Sequence, residues 1–185
     1  MSTQSAAAQS AASPETAGPR VFTWYTHFCA LLSRVSLMLA VALLIAVVLC
    51  VQWQVIGRYV LNDTPTWAEA LALLLVLYVT AFGVAVGVRD AGHIGLESIV
   101  VLLPERWRLR LELLIHGLVG LFGAFMLKSG WLWMTLKWNE RKPMLGTPEG
   151  MDYLPLVIAG LLVMLFSVEH IVALRRGVDV EPAWH

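Results

Sequence analysis

VSLMLAVALLIAVVLCVQWQVIG, residues 35–57, decides the fold. It is 23 residues long and carries no charge. As a helix rising about 1.5 Å per residue it reaches about 35 Å, more than the roughly 30 Å of a bilayer's hydrocarbon layer. Working outward, three more apolar runs follow: 70–88 between Glu69 and Arg89, about 111–136, and about 153–172. Backbone polar groups in lipid have to be paired within their own segment, so the four runs predict four helices. The fold class is all-α, an integral membrane four-helix protein.

Composition agrees. Of 185 residues, 58% are hydrophobic and 14% charged, with a mean hydropathy of +0.72. A soluble domain has about 25% charged residues. Thirteen Lys and Arg balance 13 Asp and Glu, so no net field draws in nucleic acid. Cys29 and Cys50 form no C-x-x-C or Cys/His metal spacing. The domain organisation expected is a disordered leader and cytoplasmic entry segment over 1–33, a four-helix transmembrane domain over 34–176 and a cytoplasmic tail over 177–185. The Ala- and Ser-rich residues 1–19 are too poor in large apolar groups to repay ordering.

Basic residues near span ends favour the cytoplasm. Arg20, Arg34, Arg89, Arg106, Arg108, Arg110, Arg175 and Arg176 fall on one side; Arg58, Lys137, Arg141 and Lys142 fall on the other. Both termini are therefore expected inside. Trp53, Tyr59, Trp67, Trp131, Trp133, Trp138 and Tyr153 form an aromatic belt at the outer ends, and Trp24, Tyr25 and Trp107 flank the inner ones. Between the second and third spans, Leu96, Ile99, Val100 and Leu103 recur at helical spacing before Pro104. They predict a short amphipathic helix on the cytoplasmic face.

Charges at the bilayer centre usually mark ion paths, and the middles of all four spans lack them. Lys128 is one turn from Trp131 and is read as snorkelling to the interface. Glu112, His116, Glu169 and His170 fall at span ends and are read as interfacial groups. His116 and His170 are also the one pair that qualifies for axial haem ligation. That keeps open a membrane anchor of an electron-transfer enzyme, which a Soret band would reveal; a self-sufficient small transporter is a third reading. Gln52 and Gln54 are expected to bond to another membrane helix. Gly83-x-x-x-Gly87 and the ridge Gly117, Gly120, Gly123 allow close helix approach. No nucleophile–base pair, phosphate-cradling loop or zinc spacing is present, so neither an enzymatic role nor a metal or cofactor is expected.

One ordered set of residues is more specific: Arg58-Tyr-Val-Leu-Asn62, then Pro65, Trp67 and Glu69, a span with Gly83, Arg89, His93-Ile94 and Glu97. With Met144-Leu-Gly-Thr-Pro-Glu-Gly150 leading into Tyr153 and Pro155, it resembles the small permease subunit of tripartite ATP-independent periplasmic (TRAP) transporters, the DctQ-like family. The likeness runs from about Arg34 to Arg176. Ala70 and Leu73 stand where that family often has a second acid and a base. The resemblance implies a bacterial inner-membrane subunit bound to a large permease subunit, with an extracytoplasmic solute-binding protein delivering an organic acid for sodium-driven symport. It implies a supporting role for this chain. Partner-interface candidates are Arg58, Trp67, Glu69, Gly83, Gly87, Arg89, His93, Lys137, Arg141 and Lys142; Arg58 and Glu69 are also a candidate pair across the short turn.

Overall fold

The computed structural model describes residues 20–63, 65–90 and 105–176. Four helices run through them: α1 (Arg20–Tyr59), α2 (Thr66–Asp90), α3 (Glu105–Leu136) and α4 (Leu154–Arg176), with a single 3-10 turn (Glu149–Asp152) leading into α4. All four are long and apolar enough to cross a membrane. No strand occurs among the described residues; one isolated bridge pairs Arg141 with Pro148. The expected amphipathic helix, His93, the leader 1–19 and the tail 177–185 lie outside the described residues.

α1 is longer than the apolar run that announces it. Its 40 residues begin at Arg20 and pass through Arg34 unbroken, because residues 20–56 contain neither proline nor glycine. The entry segment after residue 19 is thus the first part of the helix. The helix ends where Asn62 turns left-handed, at φ 52°, a conformation that asparagine tolerates better than branched residues. Val60 and Leu61 N–H both donate to the Ile56 carbonyl, and Asp63 N–H to that of Gly57. Gly57 is required there, since a Cβ would sit 2.8 Å from Pro65 Cδ and 2.9 Å from the Asp63 carbonyl oxygen. Cys50 Sγ then donates a weak hydrogen bond to the Ala68 carbonyl at 3.1 Å, from α1 to α2.

Two antiparallel hairpins result, α1/α2 and α3/α4, joined mainly through α2 against α4. The helices therefore lie in the order α1, α2, α4, α3, with α1 and α3 at the edges and α4 the most enclosed. Ala68, Ala72, Ala81 and Ala85 form the buried stripe of α2. α3 meets α4 through glycine: a Cβ on Gly123 would lie 3.0 Å from the Gly160 carbonyl oxygen, and one on Gly130 3.0 Å from the Val157 nitrogen. Gly120 faces Ser167, whereas Gly117 faces open space. Two members of the expected ridge thus pack, and Gly130 and Gly160 complete it. Lipid offers helices no hydrophobic reason to associate, so such close approach supplies the contact energy. The edges carry large exposed apolar groups, Leu44 and Leu49 on α1, Leu121 and Phe125 on α3.

Candidate functional site

The end of the molecule remote from the α1–α2 turn holds a buried polar cluster that the span-by-span reading of charge does not anticipate. Arg89 and Asp90 close α2 and are buried. Glu169, two turns before the end of α4, is 0% exposed and Arg89 is 3% exposed. The guanidinium grips Glu169 with two nitrogens, Nε to Oε2 at 3.0 Å and Nη2 to Oε1 at 3.2 Å. Nη1 donates to Asp90 Oδ1 at 2.7 Å. Asp90 Oδ2 accepts from Ser33 Oγ of α1 at 2.9 Å. Arginine's planar fork makes this three-way sharing possible, where a lysine would offer one point charge.

Both histidines join the same level. His170 Nε2 lies 3.0 Å from the Arg89 carbonyl oxygen; a carbonyl only accepts, so Nε2 carries the hydrogen. The His116 ring of α3 stacks on His170 with centroids 4.5 Å apart and planes within 7°. Tyr25 OH donates to the Leu165 carbonyl at 2.9 Å, and the Arg89 guanidinium lies 6.0 Å from the Phe166 ring centroid. Side chains of all four helices therefore converge here. Glu169 and His116, read from the sequence as interfacial groups rather than buried ones, are buried within the chain. Each carboxylate has found a donor inside the protein and no longer needs water.

Arg89 accordingly turns inward, into the bundle. The other candidates divide. Arg58, Trp67 and Glu69 are exposed around the α1–α2 turn, and among the described residues no ion pair joins Arg58 to Glu69. A Cβ on Gly83 or Gly87 would meet nothing within 4 Å, so among the described residues that pair of small residues packs against no helix. Lys128 and Gln52 are exposed, and Gln54 half-buried.

Lys137, Arg141 and Lys142 belong to a folded loop between α3 and α4. Lys142 N–H donates to the Thr147 carbonyl and Glu149 N–H to that of Glu140, while Gly146, at φ 65°, makes the turn. Lys137 Nζ reaches Glu140 Oε2 at 2.5 Å and Glu149 Oε2 at 3.7 Å. The Glu140 hydrogen bond holds the Lys137 ammonium above its ordinary pKa, and Lys137 in turn holds the Glu140 carboxyl below its own. Lys142 Nζ pairs with Asp152 at 2.6 Å, and Arg141 Nη1 donates to the Gly146 carbonyl at 3.0 Å. Trp138 and Met144 stand exposed on this loop.

The sequence reading missed Ser33, Asp90 and the burial of Glu169. A signal exists in α1: Tyr25, Cys29, Ser33, Ser36 and Ala40 recur at helical spacing as a small and polar stripe, and all but Tyr25 are buried. Glu169 gives no such signal, because its partner lies 80 residues away.

Residues 47–177 match the family model described as tripartite ATP-independent periplasmic transporters, DctQ component. Among curated relatives, the sialic acid TRAP transporter small permease protein SiaQ of Vibrio cholerae is 31% identical over 83 residues, 45% of this chain and 48% of SiaQ. The match thus spans about half the length of that relative. A putative TRAP transporter small permease protein of Haemophilus influenzae is 22% identical over 135 residues, 73% of this chain and 84% of the relative. The sialic acid TRAP transporter permease protein SiaT of Haemophilus influenzae is 36% identical over 55 residues, 30% of this chain but only 9% of that much longer protein. Four apolar helices, the ordered motif from Arg58 to Glu97 and a family match covering most of the sequence lead to one conclusion: this multi-pass membrane chain belongs to the DctQ family, the small permease subunits of TRAP transporters.

Proposed function

We propose that this chain is the supporting membrane subunit of a TRAP system for sodium-driven, binding-protein-dependent uptake of an organic acid, with sugar acids such as sialic acid the class suggested by its relatives' names. Its mechanism is structural. The helices hold the stationary part of a larger permease subunit in a bacterial inner membrane, with both termini cytoplasmic, and the α1–α2 turn and the 137–152 loop form part of the outer docking surface.

The observation that carries this reading is the family match over residues 47–177. The kinship of a 55-residue stretch with part of the far longer SiaT permease supports it: a segment related to this chain is covalently part of a permease there, which is the arrangement a tight subunit contact reproduces between separate chains. The polar cluster supports it too, because its charged groups are all spent on one another.

The test is co-expression with a large TRAP permease subunit from the same organism. The two chains are expected to copurify in mild detergent, and vesicles holding both plus the binding protein are expected to take up substrate. Vesicles holding this chain alone are expected to show no uptake. Robust flux through this chain alone would remove the supporting role. Alanine at Arg58, Glu69 and Arg141 together is expected to weaken uptake while leaving copurification intact; unchanged uptake would remove those residues from the docking surface.

A further inference from the structure

Between apolar helices in lipid, burial alone names no preferred neighbour and no preferred depth. The α1/α2 and α3/α4 hairpins share chiefly the contact of α2 with α4, and at one end that contact is a charged fork. Arg89 spends Nε and Nη2 on Glu169 and Nη1 on Asp90, which is itself held by Ser33 of α1. Advancing α4 by one residue along its own helical screw moves Glu169 by about 1.5 Å and turns it about 100° away. Glu169 would then be buried away from its partner and Arg89 would lose the two bonds it makes to Glu169, a state far costlier than the loss of an apolar contact. The fork thus selects one relative placement of the hairpins, as single buried polar groups select register in coiled coils.

We propose that the Arg89–Glu169 pair is a positioning joint: it sets how the α3/α4 hairpin stands against α1/α2, and so sets the spacing of the two outer loops that the partner subunits engage. The second half rests on the supporting role proposed above. Both residues are buried within this chain and act through the hairpins they align.

The experiment places spin labels at Leu61→Cys and Met144→Cys, exposed positions on the two outer loops, in a Cys50→Ser background of the full chain. The distance distribution is measured in Glu169→Ala and in a triple variant, Arg89→Met/Asp90→Asn/Glu169→Leu, that removes every charge from the cluster. Glu169→Ala is expected to lower the folded yield severalfold, since it takes from the buried Arg89 two of its charged hydrogen bonds. The triple variant is expected to recover the yield yet at least double the width of the distance distribution and cut copurification with the large permease about tenfold. A triple variant with wild-type width refutes the joint; the pair would then only neutralise itself. A broadened distribution with full copurification refutes the link to the partner. Should the triple variant not fold, Glu169→Gln, which keeps the shape, is read against the same two outcomes. If the wild-type chain itself fails to copurify, the supporting role falls, and the label distances still decide the joint.

Discussion

Gly160→Ala, measured beside Gly83→Ala, isolates the energy of helix contact in this protein. A Cβ at 160 would sit 2.5 Å from the Leu127 nitrogen and 2.7 Å from the Gly123 carbonyl oxygen, whereas one at 83 meets nothing within 4 Å. Ordinary van der Waals contact begins near 3.4 Å, so α3 and α4 have to part by roughly 1 Å, and backbone atoms cannot swing aside as a side-chain tip does. A gap of that size forfeits about a quarter to a half of each facing dispersion contact, and overpacking of this kind costs about 1–3 kcal/mol. Alanine also gains up to about 1 kcal/mol of helix propensity over glycine at either position. Gly83→Ala is therefore expected to be neutral or to stabilise by up to about 1 kcal/mol, and Gly160→Ala to lie about 1–3 kcal/mol below it. The propensity gain cancels in the difference. The assay is reversible unfolding of the purified chain in mixed micelles of increasing SDS fraction, followed by tryptophan fluorescence. Equal shifts for the two variants would refute the close α3–α4 contact as a source of stability.

Three further outcomes are expected. Ser167 Oγ is buried and has no hydrogen-bond partner, so Ser167→Ala removes an unsatisfied group and should leave stability unchanged or raise it by up to about 1 kcal/mol in the same assay; a clear loss would show that the hydroxyl is bonded. Asn62 holds a left-handed conformation, so Asn62→Gly should be tolerated and Asn62→Val should cost about 1–2 kcal/mol; equal stability of the two would contradict the turn. Lys137 holds Glu140 below the ordinary carboxylate range, so the contribution of this contact is present above the unfolded carboxylate pKa and is lost as pH falls through the depressed folded one. Lys137→Gln should move the Glu140 titration, followed by carbon-13 NMR, upward toward its usual value; an unmoved titration would dissolve the pairing.

The sequence by itself determined the helices. The runs from Val35 to Gly57 and from Ala70 to Val88 read as spans because a lipid-facing helix needs only length and apolarity, and both are local properties. Asn62, Pro65 and Gly57 mark the first turn for the same local reason. The small residues at Gly120 and Gly123 announced close packing but not its partner. Gly117, equally small, packs against nothing among the described residues, because which face of a helix turns toward a neighbour depends on where that neighbour stands.

Only the tertiary structure decided the order α1, α2, α4, α3 and the fate of the charged residues at the span ends. Arg89, Glu169 and His116 carry the composition of interfacial residues, and read singly each belongs at the headgroups. Their burial depends on one another: the fork of Arg89 is tolerable inside only because Glu169, 80 positions later, and Asp90 with its Ser33 donor bring the matching oxygens. Burial of a charge is a property of a group of residues rather than of one, and the chain assembles that group only when its two hairpins meet.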